Sequence, residues 1–234
     1  MLPLSDHNPS RTTPFVNILL IAANVFFFFW ELSLGPNLEP ALFNVAFIPA
    51  RFWISPLHPV NVIGIFVSMF LHGGWLHLGG NMLYLWIFGD NIEDRLGHFR
   101  YLIFYLLCGI VATLAHAFFN PGSRMPSIGA SGAIAGVLGA YLLLFPRAQV
   151  TTLIPIFFFI TIREVPAFII LGLWFVLQLF TGVASLGVAE AANAGGVAYF
   201  AHIGGFVAGM VLIALMGGMR RRAPRAIPYG DYWR

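Results

Sequence analysis

Apolar residues fall along the chain in recurrent blocks of roughly 20, the length that crosses a ~30 Å hydrocarbon core as a helix. Six such blocks, at 14–34, 74–92, 99–119, 129–145, 165–181 and 199–217, predict six membrane-spanning helices. Apolar character actually persists for 29 residues from Asn61 to Gly89, which as one helix would measure ~43 Å. The triplet "HGG", His72 to Gly74, is a natural break, so 61–71 is placed with the preceding loop. That loop, 36–60, contains "GPNLEP" and "IPARFWISPLHP", with too many prolines for one continuous helix. "LIPIFFFI", Leu153 to Ile160, is apolar but too short to span. It is expected to dip into the interface or lie along it.

Composition supports a membrane solvent. The 234 residues are 59% hydrophobic and only 9% charged, against about 25% charged in an ordinary soluble domain. The first apolar block is too long for a signal-peptide core and is read as a retained span. The lone cysteine, Cys108, lies in an apolar run, leaving neither a disulfide nor a cysteine-based metal site. There is no lysine, so arginine sets orientation. With the N-terminus inside, the inner segments hold ten arginines and the outer loops only Arg51 and Arg124, a positive-inside bias that puts both termini in the cytoplasm. The expected organisation is a cytoplasmic N-terminal tail at 1–13, one helical transmembrane domain at 14–217, and a basic cytoplasmic tail at 218–234. The tail's "RRRAPR" reads as a topology anchor near anionic lipid. The lipid bilayer is thus one partner, and no nucleic acid is expected.

This topology brings polar residues to one depth. Blocks two, four and six all run from outside to inside, and their outer ends carry His77 and Asn81, then Ser131, then His202. A polar side chain within a span is costly and is a functional candidate for that reason. Singly, Ser131 also fits a helix cap or a small packing residue, and His202 or Asn81 a hydrogen bond between helices. Together, a serine and a histidine at matching depth suit nucleophilic catalysis, because serine needs a general base. Small residues follow each of them. Ala135 and Gly139 lie below Ser131, and Gly205 and Gly209 below His202 as a GxxxG pair, so the two helices can approach closely. Gly129 and Gly132 flank Ser131 and free its backbone. The N-terminus of that helix presents unpaired N–H groups where an oxyanion would form. His77 and Asn81, one turn apart, add side-chain donors. No acidic residue lies near Ser131 or His202 in sequence, so a Ser–His dyad is expected. Asn24, Gln178 and His116 are read as hydrogen-bonding partners between helices.

At these residues the chain resembles the rhomboid family of intramembrane serine proteases. "HGGWLHLGGN" (His72 to Asn81) is similar to the family's HxxxN element, "IEDRLG" (Ile92 to Gly97) to its ExRxG stretch, "GASG" (Gly129 to Gly132) to its GxSG motif, and "AHIGGFVAG" (Ala201 to Gly209) to HxxGxxxG. The resemblance implies an all-α, six-transmembrane-helix bundle with an active-site cavity opening outward. It implies Ser131 as nucleophile, His202 as base and then acid, and an oxyanion hole from the Ser131 N–H, His77 and Asn81. It implies a membrane-anchored protein substrate cut in or near its transmembrane segment, no metal or other cofactor, and structural roles for Glu93 and Arg95. Two departures stand out. Ala135 occupies the position where some members stack an aromatic ring on the histidine, so the base is expected to be held by backbone and small-residue packing. Arg51 and Trp53 stand in reverse order to the family's Trp-Arg pair, and nothing is carried over to that loop.

The rival readings are an inactive, client-binding relative and a small transporter. The first is disfavoured because both serine and histidine are present. The second is disfavoured because the polar residues cluster at one depth and no repeated halves appear. Six spans without a transit peptide or added span favour a bacterial plasma membrane. If His202 is the base, activity should fall as pH drops through its pKa, ~6.5 for an unperturbed imidazole.

Overall fold

The computed structural model describes residues 1–156, 159–185 and 198–219. The expected basic tail, from 220 on, lies outside the described residues. The fold is mostly helical. The six predicted blocks become α1 (Phe15–Ser33), α5 (Trp75–Leu96), α6 (His98–Phe119), α7 (Ser131–Leu144), α8 (Ala167–Ser185) and α9 (Tyr199–Leu215). Among the described residues, α1, α6 and α8 are each long and apolar enough to cross a bilayer. Pro59–Phe70 and α5 together pass the same test but are bent by 80° at their break. The break falls at the glycines, where Gly74 adopts a φ of +147°, a value other residues avoid. α7 and α9 are apolar but shorter.

α7 is the centre of the molecule. Every residue from Gly132 to Tyr141 is buried, and the helix packs against α5, α6, α8 and α9. Its 14 residues make about 21 Å of helix, less than the ~30 Å hydrocarbon thickness. Small residues let its neighbours come to backbone contact. A Cβ at Gly209 would stand 1.9 Å from Gly136 O, and one at Gly205 would stand 2.0 Å from Gly132 O.

The loop 36–60 is built from short helices, α2 (Leu38–Val45), α3 (Pro49–Ile54) and α4 (Pro59–Val67). Pro49 and Pro59 begin α3 and α4, where a missing N–H costs nothing. Arg51 ties the loop together: its guanidinium donates to Asn61 Oδ1 at 2.9 Å and to the carbonyls of Phe43 and Ala46. Trp53 Nε1 donates to Ala117 O at the end of α6 at 2.9 Å. The reversed Arg-Trp order is therefore a loop clamp in its own right.

The all-α expectation needs correction. Strands β1 (Leu2–Asp6), β2 (Gln149–Ile156) and β3 (Phe159–Pro166) form an antiparallel sheet in the order β1-β2-β3. "LIPIFFFI" contributes Leu153–Ile156 to β2 and Phe159 and Ile160 to β3. Its surroundings are rich in β-branched residues, "QVTTLIPI" and "FITIREVP", which favour an extended, pleated chain. Val150 and Thr152 point inward and are fully buried, and part of the expected N-terminal tail pairs beside them.

Candidate active site

Ser131 is the first residue of α7, so its N–H is among those left without a partner inside the helix. The chain enters through Gly129, whose φ of +127° is open to glycine and strained for other residues. Gly129 N–H donates to Ser68 O at 2.8 Å, which anchors this turn to the loop before the break. His202 lies in the first turn of α9 and is buried. The close α7–α9 packing brings Ser131 Oγ to 2.8 Å from His202 Nε2, within reach of proton transfer.

His77 sits in the first turn of α5 and flanks Gly129. A Cβ at Gly129 would lie 2.8 Å from His77 Nε2 and 3.5 Å from Ser131 Oγ, so imidazole and hydroxyl face the same small space. The other ring nitrogen, Nδ1, accepts from the N–H of Gly73 at 3.3 Å. Asn81, one turn further along α5, is buried, and its side-chain amide bonds to His72 Nε2 at 3.0 Å. His72 is held in turn by its backbone N–H, 3.1 Å from both carboxylate oxygens of Glu31 at the end of α1. A cavity of about 40 Å³ adjoins the serine, lined among others by Ser127, Gly129, Ser131, Thr113 and His116. That is room for about one water molecule with polar partners.

Two residues at the histidine were not singled out for the site from sequence. Gln178 does bridge helices, as expected, and its partner is His202: Nδ1 lies 2.7 Å from Gln178 Oε1. Trp174, four residues earlier on α8, places its ring 5.7 Å from the imidazole at a tilt of 36°. The small-residue packing expected to hold the base is joined by two side chains on α8. An aromatic ring and an amide on α8 pack against it, while Ala135 lies beneath Ser131 on α7. Spacing of four on a helix with few polar residues was the available signal. Asn24 donates to Leu20 O of its own helix and stands beside Tyr105 of α6. His116 bonds locally, to Asn120 at 3.3 Å.

Glu93 and Arg95 stand at the opposite end of α5. Glu93 is fully buried and accepts from the N–H groups of Val16 and Asn17 at 2.9 and 2.7 Å and meets His98 Nδ1 at 2.5 Å. Arg95 lies over the Phe145 ring, 5.4 Å from its centroid.

A Rhomboid domain family model matches residues 59–219. Rhomboid protein 1, mitochondrial, of Saccharomyces cerevisiae is 34% identical over 156 residues, covering 65% of this chain and 40% of that protein. Presenilin-associated rhomboid-like protein, mitochondrial, of Bos taurus is 31% identical over 144 residues, 60% of this chain and 36% of that protein. Rhomboid protease GluP of Bacillus subtilis is 47% identical over 72 residues, 31% of this chain and 14% of that protein. The matched stretches are therefore less than half of each of these relatives.

Proposed function

The chain belongs to the rhomboid family of integral membrane proteins, and on that premise we propose that it is a serine endopeptidase acting inside the bilayer. Its substrates are membrane-anchored proteins, cut in or near their transmembrane segments. The observation that carries this reading is the 2.8 Å approach of Ser131 Oγ to His202 Nε2, made by residues 71 positions apart in sequence.

Ser131 Oγ attacks the scissile carbonyl carbon as its proton passes to His202 Nε2. The negative charge that develops on the carbonyl oxygen meets the Ser131 N–H and the positive end of α7. His77 and Asn81 supply further donors from α5. The tetrahedral species collapses as His202 returns the proton to the leaving amine. A water molecule, deprotonated by the same imidazole, then hydrolyses the acyl–serine ester. Helices α1, α5, α6, α7, α8 and α9 make six crossings in this reading, with the site open to the outer side. Among the described residues the inner segments hold Arg11, Arg95, Arg100, Arg147 and Arg163 and the outer loops Arg51 and Arg124, which supports cytoplasmic termini. We propose a bacterial plasma membrane as its compartment. The names of two of these relatives include "mitochondrial", and the third comes from Bacillus subtilis.

The test is cleavage of a model single-span substrate by purified protein in liposomes, alongside Ser131→Ala and His202→Ala, with fluorophosphonate labelling. Either substitution should lower cleavage by about 1,000-fold or more, and label should appear only on the wild type. Equal cleavage by all three would refute the dyad. Absence of both cleavage and label over a substrate panel would favour the client-binding reading.

A further inference from the structure

A neutral imidazole has one N–H and one lone pair, and a serine is activated only when the lone pair faces it. The proton of His202 must therefore sit on Nδ1, away from Ser131. In Ser–His–Asp sites a buried carboxylate enforces this. Here, among the described residues, no carboxylate hydrogen-bonds to His202. The other titratable side chains that act on it are two more imidazoles, His77 from α5 and His116 from α6. Neither supplies a negative charge.

We infer that Gln178 is the positioning residue for the base. Its side-chain carbonyl, 2.7 Å from His202 Nδ1, accepts the Nδ1–H and leaves Nε2 bare toward Ser131, so that Ser131, His202 and Gln178 form a relay that needs no carboxylate. When His202 takes the serine proton, the Nδ1–H bond to the amide oxygen becomes charge-assisted and strengthens, at the moment when positive charge develops on the ring. The rest of α8 agrees with this assignment. Its sequence, "AFIILGLWFVLQLFTGVAS", is otherwise apolar up to Thr181, and an amide in such a helix is costly without a purpose. Thr181 and Ser185 satisfy themselves on carbonyls of their own helix. Trp174 and Gln178 are four apart and so share a face; the ring packs on the imidazole and the amide meets its edge. This inference rests on the endopeptidase reading, since a base needs a nucleophile to serve.

Substitution in opposite chemical directions separates a positioning role from packing. Gln178→Leu suits an apolar helix but offers no acceptor. Gln178→Glu places a charge in the bundle but can only accept when ionised. Wild type, both variants and Ser131→Ala are reconstituted as full chains in liposomes. Cleavage of the single-span substrate, fluorophosphonate labelling rate and thermal midpoint are then measured. Gln178→Leu should keep its fold and its KM and lose about 100-fold in kcat and labelling rate. Gln178→Glu should stay within about 3-fold of wild type. It should also move the acid limb of the pH–rate profile to higher pH, because a carboxylate at Nδ1 favours the imidazolium. The reverse order, an active leucine variant and an inactive glutamate variant, overturns the inference. Equal loss in both folded variants overturns it too. Nitrogen-15 spectra of labelled histidine, with His202 identified by its absence in His202→Ala, read the tautomer without turnover. A bare Nε2 and protonated Nδ1 in wild type, lost in Gln178→Leu, support the inference even where no substrate is cut; a protonated Nε2 in wild type overturns it. A wild type that cleaves no better than Ser131→Ala sinks the endopeptidase reading, and the spectra still decide the role of Gln178.

Discussion

At Gly205 the absent side chain is what allows α9 to reach α7. A Cβ there would stand 2.0 Å from Gly132 O, a backbone atom next to Ser131. Gly205→Ala must push the two helices apart. Overpacking of this kind costs about 1–3 kcal/mol, and the displacement falls where Ser131 and His202 must stay in contact. The expected outcome is a lower unfolding midpoint together with at least a tenfold loss of cleavage, since small misplacements of reacting groups are expensive. Gly172→Ala is the matched control. A Cβ there meets nothing within 4 Å, so alanine in the helix should be neutral or slightly stabilising. Equal behaviour of the two variants would show that close approach is not what these glycines provide. The close approach of Ser131 and His202 across small residues was legible because it follows from position along the helices and helical spacing. That Gln178 and Trp174 meet His202 was not. Which face of α8 meets α9 depends on how the helix is rotated, and an almost uniformly apolar helix carries little information about that.

Among the elements, α1 shows how a helix start can be finished from a distance. Pro14 precedes it and has no side chain able to cap it. The Glu93 carboxylate, brought by the end of α5, takes the N–H groups of Val16 and Asn17 instead. Hydrogen bonds to charged groups contribute about 1.5–3 kcal/mol each, and a negative charge at a helix N-terminus adds to them. Glu93→Ala should therefore lower stability by about 3 kcal/mol and leave kcat of the surviving folded protein within a few-fold, because Ser131 is at the other end of the bundle. Thermal unfolding and cleavage on one preparation check both halves. An unchanged midpoint with a collapsed kcat would contradict this assignment. The six helices themselves were read within a few residues, since long apolar blocks admit few alternatives. The sheet was missed for a related reason. In the β2–β3 region apolar content rises as in a span, and the alternation that marks the strands is masked by adjacent aromatics; the partner β1 lies more than 140 residues away in sequence.

Across the whole molecule, polar chemistry collects at two ends. One end holds Ser131, His202, His77 and Gln178. The other holds a network that ties the N-terminal segment to the bundle: Asn8 to Asn91, Thr12 to Asp94, and Asp6 to Tyr141. Tyr141 is the link of interest, because it lies on α7, the helix that starts at Ser131. Its hydroxyl donates to Asp6 Oδ2 at 2.5 Å. Burial pushes the Asp6 carboxyl up to about 6, the proximity of Asp90 adds to the shift, and the Tyr141 hydrogen bond works against it. In the unfolded chain an aspartate titrates at ~3.9. The folded state thus holds its proton more tightly, and stability must fall as pH rises from about 4 to about 6. Below that window the half-buried group is neutral and its contribution complete; above it the carboxylate is ionised in a site that disfavours charge. Docking of β1 should be firmer at pH 5 than at pH 7.5. Asp6→Asn, which keeps an acceptor for Tyr141 and cannot ionise, should hold β1 equally at both. Amide exchange over residues 2–6, corrected for the intrinsic pH dependence of exchange, measures this directly. Greater protection at pH 5 in wild type alone identifies Asp6 as the group responsible. The same pH dependence in Asp6→Asn would move the cause to another member of the network.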